Sequence, residues 1–262
     1  MITKDEFALI NAAKLDLRFR FETLEFGDAD YHVRTLRDAQ QCPDSISDVE
    51  HLGISSATWS LFGVLWKSEE LLSQLMLEEE VGAKRVLEIG CGIALASMVL
   101  KRRGLDITAT DLNPYAARLL NYNSSLNQLE DIKFDQAGWH DDESTLGKFD
   151  LIVGSDLLYD HHNLSPLLQF INDHINPEGQ VVLVDPGRGL SRKFARLLSE
   201  FGFNATVQDR SYVSHDGEDA KYWVMRFTKI CLHRRRNRHV AEFARSTWLS
   251  RLHGGVCPVG DS

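Results

Sequence analysis

The chain is predicted to form a doubly wound α/β sheet of seven strands, mostly parallel with an antiparallel last strand, and to carry an N-terminal β-hairpin extension. Three observations predict this. From Lys84 onward, short apolar runs alternate with stretches of helical periodicity, the pattern of strand–helix–strand units whose strands run parallel. One run, Arg85-Val86-Leu87-Glu88-Ile89, breaks directly into Gly90-Cys91-Gly92 and a helix start, a shape that brings backbone N–H groups up to a ligand. The last two runs are joined by Ser214-His215-Asp216-Gly217-Glu218, which is rich in turn formers and too short for a crossover helix, so the final strand reverses direction.

The elements follow in order. After a first helical stretch, Phe19 to Phe26 alternates apolar and polar side chains, Gly27-Asp28-Ala29-Asp30 turns, and Tyr31 to Leu36 returns, which reads as a hairpin. Residues 40–58, with Pro43, several serines and Gly53, read as a loop crossing to the catalytic face. Leu61 to Glu80 carries Leu65, Leu71, Leu72 and Leu75 at helical spacing and predicts one helix. Strands are expected near 84–89, 106–110, 131–135, 149–154, 180–184, 203–208 and 222–229, and helices near 94–103, 114–127, 163–175 and 190–201. Residues 239–253 predict a short terminal helix.

Composition bounds the rest. The 262 residues, 43% hydrophobic and 26% charged, suffice for one sizeable α/β domain at 59–229, with an extension at 1–58 and a basic tail at 230–262. No run approaches the ~20 apolar residues of a spanning helix, and the N-terminus lacks a basic-then-apolar signal, so no membrane partner and a cytoplasmic location are expected. Cys42, Cys91, Cys231 and Cys257 are far apart and predict neither a disulfide framework nor a zinc site. The net charge is −9, with an arginine-rich +4 confined to 230–262. An acidic body of −13 argues against wrapping nucleic acid and is compatible with a basic protein partner.

The glycines narrow the ligand. A dinucleotide fingerprint needs Gly-x-Gly-x-x-Gly, and here Leu95 stands at the third glycine's place, where it would crowd a pyrophosphate. The short Gly90-x-Gly92 turn preceded by Glu88 suits a smaller anion, the carboxylate of S-adenosylmethionine, beside the positive end of the following helix. Asp111, at the end of the second strand and 23 residues after Glu88, offers acceptors to ribose hydroxyls. Cys91 reads as a buried filler, with no base placed beside it. His161 and His162 are adjacent, so their side chains are expected to diverge, and no metal is expected.

With these residues in hand, the chain resembles the class I, seven-β-strand S-adenosylmethionine-dependent methyltransferases, whose sheet is Rossmann-like. It is similar, within them, to the protein-lysine methyltransferases marked by Asp-x-x-Tyr after the fourth strand, here Asp156-Leu157-Leu158-Tyr159. The resemblance spans roughly 60–229 and rests on Trp66-Lys67-Ser68, Val86–Gly92, Thr110 to Pro114, Trp139, and Phe149 to Tyr159. Asp185-Pro186-Gly187-Arg188 resembles the branch that modifies the β subunit of electron-transfer flavoprotein. The resemblance implies that the backbone around Glu88, Gly90 and Gly92 holds the methionine end of the cofactor and Asp111 its ribose. Trp139 would border the adenine, Ser155 would lie at the cofactor, and Trp66 would close the pocket.

Asp156 and Tyr159 are the expected catalytic pair, acting on an accessible lysine of a protein substrate. If their segment turns helically, a spacing of three sets both side chains on one face. Asp156 would orient the amine, and the Tyr159 ring and hydroxyl would contact the sulfonium or the amine. Three features depart from the subgroup. Ala94 stands where a third glycine is common, Gly138 where an Asp often precedes the Trp, and Lys67 where Pro is usual. Arg188 is open between contacting an acidic substrate patch and closing a turn. The alternatives are a small-molecule N- or O-methyltransferase, which would more often need an apolar lid, and a non-catalytic interaction module with a decayed cofactor pocket.

Overall fold

The computed structural model describes residues 17–38, 41, 54, 59–82, 84–140 and 146–230. The first helical stretch, most of the 40–58 loop, Cys42, Cys231, Cys257, the arginines from 234 onward and the helix at 239–253 lie outside these residues.

Strands β1 (Phe19–Phe26) and β2 (Ala29–Leu36) pair antiparallel as a separate two-stranded hairpin. A 3₁₀ turn at Trp59–Gly63 leads to α1 (Lys67–Glu78). Then come β3 (Arg85–Ile89), α2 (Leu95–Arg102), β4 (Asp106–Asp111), α3 (Ala116–Leu126), β5 (Lys133–Gln136), β6 (Phe149–Ser155), α4 (Leu164–His174), β7 (Ile175–Asp185), α5 (Ser191–Glu200), β8 (Phe203–Val213) and β9 (Asp219–Lys229). The seven-stranded sheet has the order β5-β4-β3-β6-β7-β9-β8, with β9 antiparallel to both of its neighbours. Strand order reverses between β3 and β6, and ligands of doubly wound sheets bind beyond the carboxyl ends of the strands at such a switch point.

The apolar strands read as continuous runs because both faces are covered. Val86, Leu151, Val153, Val182 and Val184 point into one core with α1, α2 and the hairpin. Leu87, Ile89, Ile152, Val181 and Leu183, displaced by one residue, point into a second core with α4 and α5. The hairpin is fastened by side chains rather than by a strand. Asn127 of the α3 C-cap accepts from His32 N–H at 2.9 Å and donates to the His32 carbonyl at 2.6 Å. Asn123 does the same for Arg34 at 2.7 and 3.3 Å. Two carboxamides thereby satisfy an edge that would otherwise be open to pairing with another chain.

Three expectations shift. The single helix over 61–80 is instead a 3₁₀ turn and a shorter helix, because Trp66 is extended at φ −87° and ψ 138° and Gly63 packs so tightly on Leu36 that a Cβ there would lie 2.4 Å from its Cδ1. Strand β7 starts at Ile175, five residues earlier than expected, through a register shift in which Glu178 adopts φ 63°. The β8–β9 hairpin is longer than predicted at the turn end, because β8 is an edge strand exposed along most of its length and carries no burial pattern to read. Among the described residues no helix is long and apolar enough to cross a membrane.

Candidate functional site

The predicted residues converge on the carboxyl edge of the sheet. Gly90 and Gly92 follow β3, Asp111 ends β4, Trp139 follows β5, Ser155 ends β6 and is followed by Asp156, and Asp185 ends β7. The turn after β3 needs its glycines: Gly90 has φ 59° and Gly92 φ 54°, a left-handed region in which a side chain costs about 1–2 kcal/mol. Ala94 sits there too, at φ 60°, so the place of the third glycine is strained. A Cβ on Gly90 would lie 2.6 Å from Leu157 Cδ2 and 3.9 Å from Trp139 Cζ2, and one on Gly92 would lie 3.1 Å from the Phe62 carbonyl oxygen. Leu157 also presses on Gly154, with Cδ1 2.7 Å from a Cβ there, so this leucine wedges the segment after β6 against the glycine turn.

Asp111 binds the turn directly. Its Oδ2 accepts from Gly92 N–H at 2.9 Å and its Oδ1 from Asn113 N–H at 2.8 Å. Burial raises its pKa, while these bonds and one from Leu112 oppose the rise. A carboxylate has about four acceptor sites, so the three backbone bonds leave one for a ribose hydroxyl. The acceptor set therefore fits the nucleoside of S-adenosylmethionine.

The positive end of α2 is not free for the methionine carboxylate, contrary to expectation. Ala96 N–H donates to Glu69 Oε1 at 2.9 Å, and Ser97 N–H donates to Glu88 Oε2 at 2.8 Å, joined by the Ser97 hydroxyl. Ser155, expected at the cofactor, gives its hydroxyl to Glu69 Oε2 at 2.7 Å. Glu69 was not singled out in the sequence; a carboxylate on the buried face of an amphipathic helix was its only local signal. Glu69 and Glu88 are both buried and lie close enough for each to act on the other's proton. Two such carboxyls cannot both ionise cheaply, and burial followed by the charge of Glu69 pushes Glu88 well above its ordinary value. Glu88 thus keeps a proton in the folded chain that an unfolded carboxyl releases above pH ~4.3.

The sign follows from linkage. Because the folded state binds more protons, stability falls as pH rises above the unfolded value and stops falling only past the raised folded value. Glu88→Gln keeps an acceptor for Ser97 and a donor for Glu69 without the proton. It is expected to flatten that loss and to raise the thermal midpoint at pH 7.5 by about 2–4 °C, the response to roughly 1 kcal/mol in a domain of this size. Calorimetric melts of both proteins from pH 5 to 8 check this.

Trp66 uses its indole N–H on the Leu61 carbonyl at 3.0 Å, across the 3₁₀ turn that precedes α1. Lys67, the departure from Pro, pairs with Asp216 at 3.2 Å and with Glu218. It anchors the β8–β9 turn to the start of α1. Trp139 is partly buried against the second core and borders Gly90. Cys91 is a buried thiol whose pKa is raised well above normal by burial and next by the nearby charge of Asp111.

The segment Asp156 to Tyr159 is not helical, so the two side chains do not share a helix face as expected. Asp156 adopts φ 52°, and its N–H donates to the Val184 carbonyl at 2.9 Å. Its side chain is only 11% exposed and is clasped by Arg188, with Nη1 2.9 Å from Oδ1 and Nη2 donating to Oδ2 at 3.1 Å. Burial raises the Asp156 pKa, Arg188 opposes the rise, and Asp185 adds to it. Tyr159 is 49% exposed, yet desolvation of its hydroxyl and the negative charges of Asp111, Asp160 and Asp156 raise its pKa. It remains a phenol at neutral pH and lies within the field of both Asp111 and Asp156. His161 and His162 do not diverge: their rings lie 3.9 Å apart at 38°. Asp160 caps this exposed turn by accepting from His162 N–H at 2.9 Å.

Comparison with known proteins agrees with this geometry. A methyltransferase-domain family matches residues 67–251. The protein N-lysine methyltransferase METTL21A of Danio rerio is 27% identical over 172 residues, covering 64% of this chain and 76% of that protein. The electron transfer flavoprotein beta subunit lysine methyltransferase of Mus musculus is 30% identical over 138 residues. The match takes in about half of the mouse protein, 52%, and 51% of this chain. Among solved structures, the ribosomal protein L11 methylase of Lactobacillus delbrueckii subsp. bulgaricus shares the fold with a TM-score of 0.51 at 21% identity, over 64% of this chain and 81% of that one. The chain belongs to the methyltransferase-domain family, as a class I enzyme that uses S-adenosylmethionine.

Proposed function

We propose that the chain methylates the side-chain amine of a lysine in a protein substrate, in the cytoplasm. One observation carries this reading: a carboxylate and a phenol, Asp156 and Tyr159, stand on the irregular segment after β6, which is wedged by Leu157 against the glycine turn. Two of the relatives described above are named lysine methyltransferases of proteins, which supports the choice of acceptor.

The bound cofactor supplies a methyl group on a sulfonium, ready for in-line displacement. The chain's own task is to present a neutral amine and keep water out. A lysine with pKa ~10.4 arrives protonated. Asp156 receives the ammonium, and once the proton has left to water its oxygens accept from the remaining N–H groups and fix the direction of the lone pair. Tyr159, held as a phenol, supplies a ring face to positive charge and a hydroxyl donor. Glu69 and Glu88 hold the glycine turn, α1 and α2 as one unit below the reacting groups. Asp111 offers its remaining lone pair to the ribose.

Incubating the purified protein with methyl-labelled S-adenosylmethionine and a cytosolic extract of its source tests the reading. The expected result is a discrete labelled protein band whose acid hydrolysate contains methyl-lysine. Label confined to small molecules or RNA, or to another amino acid of the labelled protein, overturns it.

A further inference from the structure

We propose that Arg188 is a positioning residue of the acceptor site, cancelling the charge of Asp156 so that the arriving lysine can give up its proton. The inference rests on the reading of Asp156 as the acceptor carboxylate and adds a residue to it. The conflict it resolves is physical: a carboxylate that attracts an ammonium also holds its proton on, and methyl transfer needs the free amine.

The geometry provides the answer. Arg188 and Asp156 form a guanidinium–carboxylate ion pair, with Nη2 donating to Oδ2 at 3.1 Å and Nη1 2.9 Å from Oδ1, so the guanidinium charge lies against both carboxylate oxygens. The pair spans two strand ends, with Asp156 following β6 and Arg188 in the loop after β7. That loop is shaped for it. Gly187 and Gly189, at φ 81° and 96°, flank Arg188, and Gly187 N–H donates to Asp185 Oδ1 at 2.7 Å. Asp185 itself is buried and further tied to Ser191 at 2.6 Å. The charged and titratable groups that act on Asp156 or feel its charge are Arg188, Asp185, Tyr159 and Tyr222. Arg188 is the only cation in this set, so without it a lysine would meet two acids and no compensating charge. The Arg188 side chain is 48% exposed against 11% for Asp156, so the guanidinium is the more solvent-facing partner of the pair.

The test uses Arg188→Gln and Arg188→Lys in the full chain, with the extract protein that the wild type labels, once purified, as acceptor. The expected result for Arg188→Gln is that the acidic limb of kcat against pH moves about one unit higher, so that turnover falls about tenfold at pH 7.5 and recovers near pH 9.5. Arg188→Lys, which keeps the charge, should restore most of the wild-type profile. Binding of S-adenosylmethionine by calorimetry should be unchanged in both, which separates the effect from misfolding. An acceptor-free arm follows the Asp156 carboxyl by carbon NMR, and its titration should move upward in Arg188→Gln. A uniform fall in turnover at every pH, a faster enzyme, or an unmoved Asp156 titration overturns the proposal. Asp156→Asn distinguishes the two levels: if it leaves turnover intact, the acceptor assignment itself fails. If it stops turnover while the Arg188→Gln profile stays put, only the role of Arg188 falls.

Discussion

Asp156→Asn lowers the turnover of methyl transfer by about 10²–10³-fold while S-adenosylmethionine binds within about twofold of the wild type. The size is that expected when a positioned polar group at the reacting centre is removed. Asparagine is the informative replacement because Asp156 has φ 52°, and Asn tolerates the left-handed region better than other side chains. Alanine would combine loss of the carboxylate with backbone strain. Arg188 loses its ion pair in this variant, but its side chain is 48% exposed and rehydrates without a large penalty. Single-turnover rates at saturating cofactor, beside calorimetric titration of the cofactor, check both halves. A variant that turns over at the wild-type rate would remove Asp156 from the acceptor site.

Gly90→Ala acts on the other half of the reaction and abolishes measurable cofactor binding, a loss of at least about 100-fold. Two costs coincide at this position. The backbone at φ 59° penalises any Cβ by about 1–2 kcal/mol, and that Cβ would stand 2.6 Å from Leu157 Cδ2. Leu157 cannot simply withdraw, since its other methyl already presses on Gly154, so the glycine turn or the acceptor segment must shift. Either shift disturbs Asp111, whose Oδ2 is bonded to Gly92 N–H. The thermal midpoint should fall by several degrees, and calorimetry with S-adenosylmethionine should give no heat at concentrations that saturate the wild type. Retained affinity would show that the turn does not line the cofactor.

The two variants share a cause that was only half legible in the chain. The glycine turn, the carboxylate ending β4 and the Asp-x-x-Tyr segment could be read directly, because each is written in consecutive residues whose conformation depends on their own glycines and apolar runs. The alternation from Lys84 onward likewise marked strands and helices with errors mainly at their ends, and the reversed last strand followed from a short turn-rich link. Burial on alternate positions repeats every two residues and helical packing every three or four, so both leave a local trace.

The contacts that tune the site leave no such trace. Glu69 meets Ala96 across 27 residues and Ser155 across 86, and Arg188 meets Asp156 across 32. Ser155 looked like a cofactor contact from its position beside the motif, and only packing of α1 turned its hydroxyl toward Glu69. Asp156 and Tyr159 suggested a helical face by their spacing, but Asp156 is left-handed with its N–H bonded to the Val184 carbonyl, and Leu157 packs against two glycines, so that segment is irregular. Lys67 looked like a loss of proline until the β8–β9 turn came round to pair with it. The chain alone determined the succession of strands and helices, the glycine turn and the carboxylates at the strand ends, because those depend on neighbours in sequence. Tertiary structure decided which carboxyl keeps its proton, which hydroxyl remains available and which cation pairs with Asp156, because burial and charge act through space between residues that the chain holds far apart.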